Sequence, residues 1–415
     1  MSKRKEAAMK MASLSIYRGI LNRTVPAAFY RLLRAEGEEE FLKAWGNFFA
    51  VLCERGLSES FADCLTGTAL FDENAFSLAA AGGAREFSPA LLKGVERDLR
   101  IILELSALTP EDLLYDSPID NPETLHLPAW GIGSPVKALQ GDLKDCIASM
   151  ANYYRENGCG MYARYRAFIW RDSSIQPVAF PDKTRLSDLK GYELQRQMAI
   201  DNTLAFLEGL PANNCLLYGD RGTGKSSTVK AMLNEFYPRG LRVIEMPKES
   251  LMDFPKLVDQ IAAIPMKFII FIDDLSFSKE TDTYAALKAV LEGGLAVRPE
   301  NSLIYATSNR RHLIRETFSD REGDEVHRGD TIQETLSLAD RFGLSINFML
   351  PDKARYLEIV RELARYRELE ERISMEELEA AAERWATTRG GRSPRCARQF
   401  IDDAEARIKR GMPLE

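Results

Sequence analysis

The chain has 415 residues, 45% of them hydrophobic and 28% charged, and a net charge of −7. This composition indicates a globular protein of about two to three domains and argues against one whose whole surface grips nucleic acid. No stretch reaches the roughly 18 apolar residues of a membrane-spanning helix, and Arg18 interrupts the basic N-terminus where a secretory signal would be apolar. We therefore expect a cytoplasmic protein with no membrane segment.

The cysteine pattern argues against a metal framework. Six cysteines are scattered without a Cys-x-x-Cys pair, and the chain has three histidines. Structural zinc and disulfide frameworks need ligands at matched spacings, so we expect buried thiols instead.

Residues 1–170 show helical periodicity and are predicted to form an all-helical N-terminal domain. One clear apolar face lies in EEFLKAWGNFFAVLCERG, where Gly56 is expected to stop the helix. The residues of this face are Phe41, Trp45, Phe48, Phe49 and Leu52. Further helices are predicted at 89–105, behind Ser88 as a cap, and at 136–156. We expect the aromatic face to be core rather than a partner groove.

An irregular stretch with two prolines, 171–188, is predicted to be a linker. From 189 to 350, strands and helices alternate, which is typical of helices packed around a parallel sheet. The predicted strands are 214–218, 241–246, 268–272, 302–307 and 344–350, and the predicted helices are 225–237, 254–264 and 284–292. Residues 351–415 are predicted to be a small helical domain, with helices at 353–367, 375–388 and 394–409.

The first of these strands runs into a turn that fits the phosphate-binding pattern G-x-x-x-x-G-K-[ST]. Glycines let successive backbone N–H groups point at phosphate oxygens, and the helix that follows adds its N-terminal partial positive charge. Lys225 is predicted to reach the β- and γ-phosphates, and the Ser226 hydroxyl to ligate Mg²⁺. The predicted nucleotide contacts are Gly219, Asp220, Arg221, Gly222, Thr223, Gly224, Lys225, Ser226 and Ser227.

Two acidic residues end the apolar stretch FIIFIDD, and an amide ends LIYATSN. Magnesium at the phosphate-binding turn needs an acidic partner, so Asp273 is predicted to hold the metal and Asp274 to orient or deprotonate the attacking water. We expect their strand to lie beside the strand that leads into this turn. The amide of Asn309 is predicted to hold the water or the γ-phosphate without changing protonation state.

Together these segments resemble the AAA+ ATPases, with Walker A at 219–226, Walker B at Asp273 and Asp274, and sensor 1 at Asn309. More narrowly, GYELQRQ, LPANNCLLYGDRGTGKSS, FIDDLSF and YATSNRRHL are similar to a prokaryotic AAA+ family known as domain of unknown function 815. The resemblance spans 189–407 and implies an α/β P-loop module with a five-stranded parallel sheet and a C-terminal helical lid. It also implies binding of ATP and Mg²⁺ and assembly into a homo-oligomer.

The resemblance implies roles for residues outside the phosphate-binding turn as well. Arg341 in LADRFG resembles the arginine finger that reaches a neighbouring subunit's γ-phosphate. Arg395 in GGRSPRCARQF resembles sensor 2, which ties the lid to the phosphates, and Arg398 takes this role if the register differs by a turn. Tyr192 in LKGYE matches the segment where the nucleotide base enters. Surface salt bridging is the alternative for Arg341 and Arg395.

The Walker B pair departs from most AAA+ motors, which have Asp-Glu where this chain has Asp273 and Asp274. The shorter side chain favours slower hydrolysis, and bacterial replication initiators and helicase loaders share this pair.

Three functions follow from these residues. The favoured one is an oligomeric, Mg²⁺-dependent ATPase that hydrolyses ATP to ADP and phosphate and remodels a protein partner held by residues 1–170. The alternatives are a slow nucleotide-gated binding switch and a DNA-acting loader. The acidic balance and the lack of a clear helix-turn-helix disfavour the third. The charged segment 319–330 is predicted to be a solvated insertion, with a subunit contact as its alternative.

Overall fold

The computed structural model divides the chain into two compact units, Met1–Arg164 and Tyr165–Glu415. It describes residues 2–275, 287, 288, 290, 291, 299–309, 341–389 and 391–414. The charged segment 319–330 and most of the predicted helix 284–292 lie outside the described residues. The first unit ends at Arg164 rather than at residue 170.

The first unit is helical, as its periodicity predicts. Its helices are α1 (Lys3–Ala12), α2 (Thr24–Arg34), α3 (Glu38–Glu54), α4 (Phe61–Leu70), α5 (Ala75–Ala81), α6 (Pro89–Ser106), α7 (Pro110–Tyr115), α8 (Leu143–Asn157) and α9 (Gly160–Arg164). The predicted cap of α6 is confirmed, because the Ser88 hydroxyl accepts from the Leu91 amide at 3.2 Å. Helix α8 begins later than predicted because Gly141 takes a φ of +111° and Asp142 caps the helix.

The aromatic face of α3 is core. Phe41, Trp45, Phe48 and Leu52 are fully buried, and Phe49 is half-buried against the same core. The Trp45 indole donates to the Pro128 carbonyl at 2.9 Å, so its polar atom is satisfied. This face therefore stabilises the first unit and is not a groove for a partner.

The second unit contains one seven-stranded sheet. Its strands are β1 (Ala167–Arg171), β2 (Ser174–Pro177), β3 (Cys215–Gly219), β4 (Leu241–Glu245), β5 (Lys267–Ile272), β6 (Ser302–Ser308) and β7 (Leu344–Phe348). Their order is β2-β1-β4-β5-β6-β3-β7, and only the β1–β2 pair is antiparallel among the described strands. Strands β3 to β7 are the five predicted parallel strands, so the predicted five-stranded parallel core is confirmed.

Strands β1 and β2 occupy residues that were predicted as the end of the helical domain and a linker. They form a hairpin whose two turn residues, Asp172 and Ser173, have φ angles of +52° and +54°. Such turns usually carry Asn-Gly or Asp-Gly, so this hairpin could not be predicted from its turn residues. Phe168 and Trp170 are buried, and β1 pairs with β4.

The predicted neighbour of the P-loop strand is wrong. Strand β6 pairs with both β3 and β5 and therefore separates the strand that ends at Gly219 from the strand that precedes Asp273. Parallel strands are joined by long crossovers, so chain order does not fix which strands are neighbours. The end of β6 consequently lies between the two motifs.

Helices α10 (Glu193–Leu207), α11 (Lys225–Phe236) and α12 (Phe254–Ile261) belong to the sheet module. The C-terminal helices are α13 (Lys353–Tyr366), α14 (Met375–Thr388) and α15 (Pro394–Lys409), within a residue of prediction, and they share a core of their own. Each begins at a side-chain cap, supplied by Asp352, Ser374 and Ser393. Across the described part of the chain, none of the helices has the length and apolarity needed to cross a membrane.

Candidate functional site

The turn after β3 can be built only with glycine at two of its positions. Gly219 has a φ of +130°, and a Cβ there would lie 2.2 Å from the Phe348 carbonyl oxygen of β7. Gly222 has a φ of +78°, and a Cβ there would lie 2.9 Å from Ser393 Oγ. Both distances are far inside van der Waals contact, so the close approach of neighbouring backbone and side chain requires these glycines. Gly224, with a φ of +92°, then starts α11.

A cavity of about 440 Å³ opens over this turn, a size within the usual range for small-molecule sites. It lies at the carboxyl ends of parallel strands, where ligands bind in open α/β sheets. The predicted site residues that line it are Arg221, Gly222, Thr223, Gly224, Lys225, Ser226, Ser227, Asp273, Asp274, Asn309 and Arg395.

Lys225 is buried at the floor of this cavity and contacts neutral oxygens. Its Nζ donates to the carbonyls of Gly219 at 3.0 Å and Asp220 at 2.6 Å, and to Asn309 Oδ1 at 3.3 Å. Burial lowers the pKa of Lys225 to about 8, against the opposing effect of nearby carboxylates. A buried ammonium with neutral partners is stabilised by an anion in the cavity.

Ser226 and Asp273 form a pair of oxygen ligands. Ser226 Oγ donates to Asp273 Oδ1 at 2.6 Å, and Thr307 Oγ1 donates to the same oxygen at 2.5 Å. Among the described residues, no cluster of three or more His, Cys, Asp or Glu forms a complete protein metal site. A hydroxyl and one carboxylate suit Mg²⁺, which is usually held by one or two carboxylates together with substrate phosphates.

Asp274 lies in a left-handed backbone conformation, with a φ of +51°. Its amide donates to Thr307 Oγ1 at 3.0 Å, and its Oδ1 accepts from Asn309 Nδ2 at 2.6 Å. Because Asn309 also accepts from Lys225, its side-chain amide bridges the Asp274 carboxylate and the Lys225 ammonium. A non-glycine residue in this region costs about 1–3 kcal/mol and is often found at functional sites.

Thr307 is a site residue that was not predicted. Its hydroxyl contacts Asp273 and the Asp274 amide, and the residue is buried. The signal was present, because side chains two apart in a strand point to the same face and Thr307 precedes Asn309 by two. The sequence did not show that β6 would lie beside β5.

Both arginines considered for sensor 2 line the cavity, one turn apart on α15. The Arg395 amide donates to the Gly222 carbonyl at 3.0 Å, and the Arg398 guanidinium donates to the Asp188 carbonyl at 3.0 Å. The charge of Arg395 also acts to lower the pKa of Lys225, after the larger effect of burial. The C-terminal helices therefore touch the P-loop directly.

Four predicted site residues do not line the cavity: Gly219, Asp220, Tyr192 and Arg341. The Asp220 carboxylate accepts from the Leu350 amide, and the Tyr192 hydroxyl donates to the Met349 carbonyl. Arg341 is half-buried in the turn before β7.

Residues close to Tyr192 in the sequence line the cavity instead. These lining residues are Asp188, Leu189, Lys190 and Arg196. Residues of the predicted segment thus line the cavity, but its tyrosine packs on strand β7, where its ring lies 5.3 Å from that of Phe348.

Solved structures of RuvB from Thermotoga maritima are similar to part of this chain. The Holliday junction branch migration motor is 14% identical, with a TM-score of 0.38 over 56% of this chain and 68% of that chain. A substituted form of the same protein is 14% identical, with a TM-score of 0.39 over 56% and 68%.

Residues 163–408 match the model of a family described as "Protein of unknown function (DUF815)". The match begins beside the start of the second unit, at Tyr165, and spans more than half of the sequence. The chain belongs to the DUF815 family.

Proposed function

We propose that the chain is an ATPase that binds ATP with Mg²⁺ and hydrolyses it to ADP and phosphate. One observation carries this proposal: residues from α11, β6 and the end of β5 converge on one cavity as a continuous hydrogen-bonded set. Its members are Lys225, Ser226, Asp273, Asp274, Thr307 and Asn309.

The turn fits a polyphosphate. Gly222 and Gly224 have no side chains, so the backbone itself lines the cavity at these positions. Helix α11 begins after Gly224 and presents its N-terminal N–H groups there. Lys225 supplies a buried positive charge whose present partners are neutral. Anionic oxygens would satisfy both groups, which supports phosphate as the ligand of this turn.

Ser226 and Asp273 would hold the magnesium. When bound, Mg²⁺ neutralises charge on the β- and γ-phosphate oxygens. Thr307 fixes Asp273 for this task because its hydroxyl donates to the same carboxylate oxygen that accepts from Ser226.

Asp274 would orient the attacking water and accept its proton, since it is the second carboxylate at the cavity. Asn309 orients that carboxylate by donating to one of its oxygens and can also bind the γ-phosphate. Water attack on the γ-phosphorus breaks the bond to the β–γ bridging oxygen, and the products are ADP and phosphate.

We infer further that the active form is a homo-oligomer. Arg341 does not line the cavity of its own chain, so the arginine-finger role requires a neighbouring copy. Arg395 would report the nucleotide state to the C-terminal helices as sensor 2, with Arg398 beside it.

The energy is proposed to remodel a protein partner held by the first unit. This unit has its own hydrophobic core and precedes almost all of the family match, which supports a separate role.

The short Asp274 side chain favours a second candidate, a slow nucleotide-gated switch in a cytoplasmic protein. The acidic net charge keeps a DNA-acting loader as the disfavoured alternative. Capture of partners with an Asp274→Asn variant and mass spectrometry separates these roles.

Release of phosphate from ATP by the full chain tests the proposal. Wild-type protein with Mg²⁺ is expected to turn over, and Lys225→Ala to lose both binding and turnover because the buried charge is gone. The matched control is Lys256→Ala, which removes an exposed lysine that pairs with Asp253. Normal turnover by Lys225→Ala contradicts the proposal.

A further inference from the structure

The turn that leads from the sheet to the C-terminal helices is held by hydrogen bonds from side chains to its backbone. It comprises residues 349–352, between the end of β7 and the start of α13. The side chains of Met349 and Leu350 are 63% and 44% exposed, so their burial does little to fix it. Residues outside the turn supply the partners for its backbone.

Asp220 contacts the backbone on both sides of Met349. Its amide donates to the Phe348 carbonyl at 2.9 Å, and its Oδ2 accepts from the Leu350 amide at 2.7 Å. A bond to an ionised carboxylate is about twice as strong as a neutral one. Asp220 thereby brackets the point where the chain leaves the sheet.

Tyr192 also contacts the backbone of this turn. Its hydroxyl donates to the Met349 carbonyl, and its ring lies 5.3 Å from that of Phe348. Burial, followed by the nearby Asp220 carboxylate, raises the pKa of Tyr192 to about 12, so the hydroxyl stays protonated and able to donate.

The backbone carbonyl of Asp220 contacts the P-loop lysine. The Asp220 carbonyl accepts from Lys225 Nζ at 2.6 Å and from Thr223 Oγ1 at 2.8 Å. Phosphate in the cradle competes with this carbonyl for the ammonium of Lys225. One residue therefore has its carbonyl bonded to the phosphate-binding lysine and its carboxylate bonded to the turn.

We propose that Asp220 is a positioning residue that couples the P-loop to the turn at 349–352, so that the nucleotide state sets how the C-terminal helices leave the sheet. This inference rests on the proposed nucleotide binding. It assigns Asp220 and Tyr192 to the turn rather than to the nucleotide, consistent with neither lining the cavity.

Hydrogen exchange of the full chain tests this coupling, measured without nucleotide, with Mg²⁺ and ADP, and with Mg²⁺ and a non-hydrolysable ATP analogue. In wild-type protein, exchange at 349–366 should differ between these states. In Asp220→Ala, the Leu350 amide should exchange about tenfold faster without nucleotide, because it loses its acceptor. The differences between nucleotide states should also disappear, measured at nucleotide concentrations that a titration with fluorescent ADP shows to saturate the variant.

Asp220→Asn keeps an acceptor and should restore the differences between states. Asp201→Ala removes an exposed carboxylate from α10, bonded to Gln197, and should behave as wild type. Tyr192→Phe removes only the hydroxyl and should reduce the differences while leaving the ring in place. If Asp220→Ala does not fold, Tyr192→Phe still tests the coupling between the P-loop and the turn.

Wild-type differences between nucleotide states in both Asp220→Ala and Tyr192→Phe overturn the inference, since a purely structural contact changes only the nucleotide-free rate. Wild-type protein that binds nucleotide without any change at 349–366 overturns it as well and leaves the proposed function standing. Wild-type protein that shows the change but releases no phosphate contradicts the proposed hydrolysis alone.

Discussion

Ser226 and Asp273 lie 47 positions apart in the sequence, yet Ser226 Oγ donates to Asp273 Oδ1 at 2.6 Å. The serine lies in the first turn of α11 and the aspartate follows β5. The two side chains meet although strand β6 lies between β5 and the strand β3 that leads to α11. This contact joins the two motifs that the proposed chemistry needs. It also shows where a bound magnesium ion would find its protein ligands.

Removal of the Ser226 hydroxyl should weaken binding only when magnesium is present. Ser226→Ala is expected to lower affinity for Mg²⁺ and ADP about 10- to 100-fold, the usual range for altered metal surroundings. Titration calorimetry with and without EDTA measures it. In EDTA the variant and the wild type should bind alike, and an equal loss under both conditions contradicts the ligand role.

Replacement of Thr307 should disturb both Walker B residues at once. Thr307→Val keeps the shape but removes the hydroxyl that accepts from the Asp274 amide and donates to Asp273 Oδ1. Because that amide also donates to Asp273 Oδ1 at 3.2 Å, the free energy of unfolding should fall by about 0.5–1.5 kcal/mol. A higher Mg²⁺ concentration should be needed for half-maximal turnover. Thr307→Ser should restore both values.

The control for Thr307 is Thr203→Val, another buried threonine, which bonds to the Ala199 carbonyl and the Tyr305 hydroxyl. It should lower stability without moving the Mg²⁺ requirement. A shift of equal size in both variants would mean that Thr307 acts through stability alone.

Nucleotide binding should take up protons at Lys225. With a pKa of about 8, Lys225 is about half charged at pH 8 in the free protein, and phosphates raise that pKa by favouring the charged form. Uptake should be about half a proton at pH 8 and about a tenth at pH 7. Calorimetry in two buffers of different ionisation enthalpy measures it, and equal uptake at both pH values refutes the assignment.

Mixing two inactive variants should recover activity if Arg341 acts on a neighbouring copy. Arg341→Ala keeps an intact cradle but lacks the proposed finger, and Lys225→Ala lacks the cradle but keeps the finger. Arg341→Ala alone should turn over slowly, because an arginine finger contributes a factor of about 10³ to 10⁵, and Lys225→Ala alone should not turn over. Phosphate release that stays at the summed activities of the separate variants argues against a role in trans.

The core of the first unit should depend on the buried face of α3. Phe48 is fully buried and its ring lies 4.8 Å from that of Trp130, so Phe48→Ala is expected to lower the free energy of unfolding by about 3–5 kcal/mol. Phe49→Ala, at the half-buried neighbour, should cost less. Urea unfolding of this unit, followed by hydrogen exchange in α3, gives both values, and equal losses contradict the assigned core.

Local signals predicted much of the fold. The cap at Ser88 marks the start of α6, and the glycine pattern ending at Lys225 marks the P-loop, because caps and turns depend on adjacent residues. Apolar periodicity identified α3 and the strands β3 to β7 in the same way.

The rest depends on contacts between distant segments. The place of β6 between β3 and β5 brought Thr307 to Asp273, and no pattern near either residue encodes that neighbour. The Asp220 side chain belongs to the P-loop motif but bonds to Leu350, 130 positions away. The hairpin turn at Asp172 lacks the glycine that would have indicated a hairpin in the sequence.

In the proposed reaction this cavity cleaves ATP, and Asp274 is the residue that activates the attacking water. The most direct measurement is a single turnover of radiolabelled ATP with excess protein and Mg²⁺, comparing the wild type with Asp274→Asn. The wild type should yield bound ADP and released phosphate, whereas Asp274→Asn should bind ATP as tightly and return it intact. Intact ATP from both proteins, or equal cleavage by both, would contradict the account.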